Sequence, residues 1–386
     1  MNVWELVVIG GGPAGLSAAY VAARRGVRTL VVERAAHPRY KTCGGGLIGT
    51  SLAALAGRIE VPAHDLVDRI TFTLDGRGGF TRRHAGGPLV SMVRREEFDD
   101  RLRAAAVSAG AELRQRATVR SVEQDPDVVR VRLADGEVLL ARTVIGADGS
   151  SGVSARHVGV RHRQVDLGLE LELPVSPAEQ ARWRRRALLD WGPLPGSYAW
   201  VFPKGDRLTV GVIAGRGEGE RTRRYLARFV DRLGLAHVSP THDSGHLTRC
   251  RADDSPLRRG RMLVAGDAAG LLEPWTREGI SYALRSGELA GAAVAAADLG
   301  GYERSVSERL VPAMRAGHRL LDVFSRRPGV CHTLLATAPG WRAFTRFCLG
   351  RADFDELVGR PSVRAALALA ERLPGPRRAV PARAAR

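Results

Sequence analysis

Lysine is almost missing from these 386 residues: Lys41 and Lys204 are the only two, and arginine supplies 57 of the 59 basic side chains. A skew of that kind is what a genome-wide codon preference produces, so the net charge of +18 does not by itself demand a polyanionic partner. The arginines are scattered, apart from Arg182-Trp183-Arg184-Arg185-Arg186 and the C-terminal tail. No basic strip is interleaved with aromatics and no helix-turn-helix pattern occurs, so nucleic acid is not an expected partner. A basic surface does suit anionic lipid headgroups. Cysteine is scarce as well: Cys43, Cys250, Cys331 and Cys348 show no pairing pattern, which argues against a disulfide framework and for a reducing compartment. No apolar run approaches the ~18 residues of a transmembrane helix, and the chain starts directly in a strand-like segment without a secretory leader. The expectation is a cytoplasmic protein with at most peripheral membrane contact.

What is present is glycine in particular places. Leu6 to Ile9 is a short all-apolar run of the kind that forms a strand buried on both faces. Gly10-x-Gly12-Pro13-Ala14-Gly15 follows, then an alanine-rich helical run to Arg25, a stop at Gly26 and a second buried strand from Thr29 to Val32 that ends at Glu33-Arg34. This βαβ context gives the glycines a physical purpose. They permit the tight turn, the approach of a pyrophosphate to backbone N–H groups and close helix–sheet packing. Glu33 is placed to accept from a ribose 2′-hydroxyl and would repel a 2′-phosphate, so FAD or NAD is expected rather than NADP.

Further along, Cys43-Gly44-Gly45-Gly46 precedes a helix-like stretch from Leu47 to Leu55, and three glycines in a row imply backbone pressed against something flat or bulky. Arg95 to Asp99 opens an amphipathic helix that stops at Gly110. An apolar strand delivers Gly146-Ala147-Asp148-Gly149 at its end, and a third delivers Gly266-Asp267-Ala268-Ala269-Gly270, with Gly279-Ile280 opening a small-residue helix. Residues 164–215 gather Trp183, Trp191, Tyr198, Trp200 and Phe202 in a chain only 5% aromatic, which reads as a second, sheet-based unit with an apolar face. Gly215-x-Gly217-x-Gly219 lacks a βαβ unit and reads as a loop. His242, His246 and Cys250 have helical metal-ligand spacing in a strand-like context, so no metal is expected. Helices are expected at about 302–324, 340–349 and 363–373, and a disordered tail over 374–386.

The three strand-end glycine motifs, in this order, resemble the FAD-dependent oxidoreductases of the para-hydroxybenzoate hydroxylase fold over roughly residues 3–295. That resemblance implies an α/β chain with a discontinuous Rossmann-like FAD-binding domain (1–66, 88–163 and 245–298). It also implies an inserted antiparallel β-sheet substrate domain (67–87 and 164–244) and a C-terminal helical region (299–373). It gives Asp267 a ribityl hydroxyl of FAD and Asp148 a place near the pyrophosphate, and it brings Arg95 to the cofactor. Within the fold, Lys41-Thr42-Cys43-Gly44-Gly45-Gly46, Tyr198-x-Trp200-x-Phe202-Pro203 followed by Gly211, and Glu278-Gly279-Ile280 resemble the geranylgeranyl reductase family. That family reduces carbon–carbon double bonds of prenyl chains.

The resemblance therefore implies FAD on Gly10, Gly12, Pro13, Ala14, Gly15, Glu33, Arg34, Cys43, Gly44, Gly45, Arg95, Asp148, Gly149, Gly266, Asp267, Gly279 and Ile280. Cys43 is implied as the flavin-adjacent residue that helps deliver a proton, and Tyr198, Trp200 and Phe202 as the walls of an apolar tunnel for a prenylated substrate. NAD(P)H or a ferredoxin would donate the electrons. Two positions depart from the family pattern: Arg277 stands where a glycine is usual, and Ile213 replaces the pocket motif's second glycine. The arginine is expected to add bulk and positive charge near the flavin. The alternative is an FAD-dependent monooxygenase hydroxylating an aromatic, polyketide or terpenoid compound, and a third reading is a non-redox flavoprotein.

Overall fold

The computed structural model describes residues 3–361, 363–364 and 367–368. Its first sheet has eight strands, built outward from the opening strand Val3–Ile9. Thr29–Val32 and Val138–Gly146 lie parallel on either side of it, with Val8 opposite both Val31 and Ile145. Glu112–Arg114 and Met262–Val264 extend the parallel array outward, and Arg258–Arg259 closes one edge. Leu6, Val7, Val8, Val144 and Ile145 are fully buried, which is why these strands are continuous apolar runs rather than alternating ones. The hairpin strands Val119–Gln124 and Val129–Leu133 branch from Val138–Gly146.

One face of this sheet carries the helix Pro13–Arg24, and the helix Ile280–Ala295 lies against it. Their contact is made of small side chains. A Cβ on Gly287 would strike the Ala14 carbonyl, and one on Gly291 the Ala18 carbonyl. The small-residue pattern of the second helix thus locks the two glycine-led helices together, their first residues 267 positions apart in sequence, so that both N-termini face one cleft.

The second sheet runs in the order His242–Arg251, His162–Pro174, Arg207–Gly215, Tyr198–Pro203, Arg186–Trp191, Arg69–Leu74, Arg77–Arg83. It is antiparallel except where Arg186–Trp191 pairs in parallel with Arg69–Leu74. Those two strands come from separate chain segments, and no hairpin turn fixes their direction. The strand His242–Arg251 carries this sheet past residue 244. The helix Gly219–Arg232 covers one face, burying Tyr225, Leu226 and Phe229 against Leu173, Val201 and Val210. The segment Gly215 to Gly219 is therefore not a loop: a short 3-10 turn at Arg216–Glu218 leads into this helix. Glycines there read as a turn only because its apolar face begins several residues later.

The single helix expected over 302–324 is two, Leu299–Arg309 and Val311–Arg326, because Pro312 starts a new helix rather than continuing the old one. Pro328–Ala336, Ala338–Cys348 and Phe354–Gly359 follow. The helix expected over 363–373 lies largely, and the 374–386 tail entirely, outside the described residues.

Candidate active site

A cavity of about 1290 Å³ runs between the two sheets and under the C-terminal helices. It exceeds the ~300–1,000 Å³ of an ordinary small-molecule cleft, so it has room for a large cofactor together with a second molecule. At one end it is lined by the three strand-end motifs: Gly10, Gly12, Pro13 and Ala14; Ala147, Asp148 and Gly149; Asp267, Gly279 and Ile280. Gly15 and Gly266 do not face it. They are packing glycines: Gly15 lies on the Gly10 carbonyl, and a Cβ on Gly266 would sit 2.8 Å from that of Ala14.

The residues fit a dinucleotide with two phosphates. The helix Pro13–Arg24 has Gly12 as its N-cap and no side-chain cap, so the N–H groups of its first turn point into the cleft for an anion. Asp148 caps the short helix after it through Ser154 N–H at 3.1 Å, its other oxygen is buried without a hydrogen-bond partner, and the residue lines the same cleft. Glu33 is 5% exposed and spends its carboxylate partly on backbone: Oε2 accepts Gly11 N–H at 2.6 Å and Oε1 accepts Ala35 N–H at 3.0 Å. It both fixes the glycine turn and lines the cavity beside Arg34. Arg39, which sequence reasoning missed, reaches the Gly11 carbonyl at 3.2 Å and Asp99 at 3.2 Å.

Cys43 lines the cavity where the glycine motifs and the aromatic walls meet. Its N–H donates to Glu170 Oε1 at 2.9 Å, and its carbonyl accepts from Lys204 Nζ at 3.2 Å. The Arg95 guanidinium lies beside it and is held by Asp99 through two hydrogen bonds of 2.8 Å. Burial would depress the Arg95 pKa, but Asp99 and the Cys43 sulfur override that and hold it above its ordinary value. Asp267 shows the opposite balance. Burial would raise its pKa, yet His246, 3.5 Å away, with Lys41 and Arg95, keeps it lowered and anionic. An anionic carboxylate beside backbone glycines is a good acceptor for sugar hydroxyls.

The flat object against the triple glycine is the aromatic strand. A Cβ on Gly44 would meet the Phe202 ring at 2.9 Å, and the Trp200 indole lies across Gly211 on the neighbouring strand so closely that no side chain fits there. Tyr198 Oη donates to the Thr276 carbonyl. From these rings and Trp191 of the next strand the cavity continues between Leu335, Phe344, Phe347 and Val358, side chains of the C-terminal helices for which the sequence showed no motif. They were invisible because apolar spacing in a helix does not say whether it faces a core or a cavity.

The FAD-binding domain family model matches residues 4–300. The menaquinone reductase of Mycobacterium tuberculosis is 33% identical over 76% of this chain and 77% of its own length. The geranylgeranyl diphosphate reductase of Rhodobacter capsulatus is 30% identical over 76% and 75%. This chain belongs to the geranylgeranyl reductase family of FAD-dependent oxidoreductases. A solved structure from Thermoplasma acidophilum, titled geranylgeranyl bacteriochlorophyll reductase-like, has the same fold with a TM-score of 0.74 at 23% identity, over 84% of this chain and 88% of that one.

Against that family the arginine at 277 now has a place. It sits at φ +56°, a left-handed conformation that suits a glycine. Its side chain does not project as a free charge. Nε donates to Asp166 at 3.0 Å, with the pair only 4% and 5% exposed, Nη1 donates to the Trp275 carbonyl at 2.6 Å, and the guanidinium lies 5.7 Å from the Tyr198 ring centre. The positive charge expected near the flavin is largely neutralised by Asp166. Ile213 lines the cavity next to Gly168 and narrows it.

Proposed function

We propose that this enzyme reduces carbon–carbon double bonds in the isoprenoid chain of a hydrophobic substrate. The observation that carries the reading is the continuity of one cavity, from the glycine motifs past Cys43 and the Tyr198, Trp200 and Phe202 rings to an apolar far end. A chain-like apolar substrate fits such a channel better than a compact polar one. The two relatives above are named for reducing menaquinone and geranylgeranyl diphosphate, compounds that both carry isoprenoid chains.

Bound and reduced, FAD supplies the hydride for such a reaction. The chain's own residues do the rest. The aromatic walls hold the double bond still and exclude water, which matters because an unactivated alkene is a poor hydride acceptor and gains most from placement. Cys43, against Arg95 and at the junction of the glycine motifs and the tunnel, is positioned to help deliver to the second carbon a proton that another group supplies. NAD(P)H visiting the cleft transiently, or a ferredoxin, supplies the electrons. The reading is tested by adding a geranylgeranyl compound to the oxidised holoenzyme. A saturable change in the flavin spectrum is expected, and it should weaken in Trp200→Ala. No change with any polyprenyl compound would contradict the substrate class. Cys43→Ser should keep its FAD and lose most of its alkene reduction; unchanged reduction would remove Cys43 from the chemistry.

A further inference from the structure

The strand His162–Pro174 alternates acid and leucine, and its burial is the reverse of what that pattern suggests. Asp166, Glu170 and Glu172 are 4%, 1% and 3% exposed, while Leu167, Leu169 and Leu171 are half-buried on the other face. Three carboxylates on one buried strand face need partners. Asp166 has Arg277 and the Gln164 amide at 2.6 Å. Glu172 has the Lys204 ammonium at 3.0 Å and the Thr209 hydroxyl at 2.8 Å. Glu170, which alone lies between them and lines the cavity beside Cys43, has no cation within ion-pair distance among the described residues. Its neighbours are the Cys43 N–H at 2.9 Å and the Tyr40 hydroxyl at 3.5 Å.

We propose that Glu170 is held as a neutral carboxylic acid and supplies the proton for double-bond reduction, with Tyr40 and Ser244 as its route to solvent. This rests on the reductase reading above. Tyr40 Oη is 3.0 Å from Ser244 Oγ, a pair in which either hydroxyl can donate, Ser244 accepts from Thr42 at 2.9 Å, and both Tyr40 and Ser244 are partly exposed. The groups facing Glu170 are Tyr40, Lys41 and Cys43 from the glycine loop, Glu172 on its own strand, Lys204 from the turn beside it and Ser244 opposite it on the neighbouring strand. Burial and the Glu172 charge push its pKa up while Lys204, the Cys43 N–H and Lys41 oppose them, leaving it at about 7. The chain's only two lysines flank this one acid.

The step balances. Hydride from reduced FAD forms one C–H bond as the π bond breaks, and the proton of the Glu170 O–H bond forms the other on the adjacent carbon. The carboxylate left behind regains a proton from water through Tyr40 and Ser244.

The test is Glu170→Gln, which keeps an acceptor for the Cys43 N–H but has no acidic proton. With enzyme reduced anaerobically, reoxidation of the flavin by a geranylgeranyl compound is followed from about pH 6 to about pH 9. The wild type should slow about tenfold per unit above about pH 7. The variant should keep its FAD, react about 100-fold more slowly at the low end and lose that pH dependence; Glu170→Asp should restore part of both. A second readout needs no substrate: beside the band that Glu273 gives in both proteins, the wild type at about pH 6 should show one more infrared carbonyl band of a buried protonated carboxylic acid, and that band should be gone in the variant. If the band persists in Glu170→Gln, or the variant keeps wild-type rate and pH dependence, the assignment fails. If the band behaves as expected but no polyprenyl compound reoxidises the wild type, the reductase reading fails instead.

Discussion

Breaking the Arg277–Asp166 pair from either side should cost far more than removing it whole. Both side chains are about 95% buried, so a lone charge left behind is neither solvated nor paired. Asp166→Ala leaves the guanidinium with only the Trp275 carbonyl and the Tyr198 ring, and a loss of about 3 kcal/mol is expected. Arg277→Gly strands Asp166, offset in part by the Gln164 amide at 2.6 Å and by relief of the φ +56° backbone, worth about 1 kcal/mol. About 2 kcal/mol is the net expectation there. The double variant loses both desolvation penalties with the pair, so it should be no worse than about 2 kcal/mol, which makes the coupling about 3 kcal/mol. Urea denaturation of the FAD-loaded protein, followed by tryptophan fluorescence, measures all four corners. Single losses below about 1 kcal/mol that add to within about 0.5 kcal/mol would refute a buried, mutually dependent pair.

Other outcomes follow from the same geometry. Gly15→Ala sets a methyl group on the Gly10 carbonyl, backbone that cannot yield, so the purified variant should carry little flavin; wild-type flavin absorbance would contradict this. Glu273 is buried with one oxygen unpartnered, and burial lifts its pKa from 4.5 to about 7. With a raised folded pKa its contribution is fully present below about pH 4.5 and is lost as pH rises through about 7, by up to about 3 kcal/mol. Glu273→Gln should flatten the fall of the urea midpoint over that window, and an unchanged pH slope would count against it. Val330 and Leu334, one helical turn apart, are among the few large apolar side chains that are well exposed, and both line the cavity. As a mouth for a lipid-borne substrate they should be sensitive to charge. Val330→Asp with Leu334→Asp should raise KM for vesicle-embedded substrate and leave kcat for a short, soluble prenyl compound unchanged; equal effects on both would sink the idea.

The FAD end of the molecule was legible because its signals are local. Each strand-end glycine motif spans a few residues, and each lands on the cavity or on the helix packing that shapes it. Cys43-Gly44-Gly45 and Tyr198-x-Trp200-x-Phe202 read as separate segments, and only the fold shows that Gly44 rests on Phe202. The acid face of His162–Pro174 was illegible for a different reason. Alternating Glu and Leu reads as leucine in and acid out, and the reversal depends on Lys204, Arg277 and Cys43 arriving from other segments. Arg277 was noticed as a departure, but its charge was misjudged because Asp166 lies 111 positions away.

The central claim is tested most directly by the mass of the product. Enzyme reduced with dithionite is incubated without oxygen with a geranylgeranyl compound, and the product is analysed by mass spectrometry. Alkene reduction predicts a gain of two hydrogens per double bond, no added oxygen, and stoichiometric return of the oxidised flavin spectrum. A product that forms only in air and carries one added oxygen atom would contradict it and make this chain a monooxygenase.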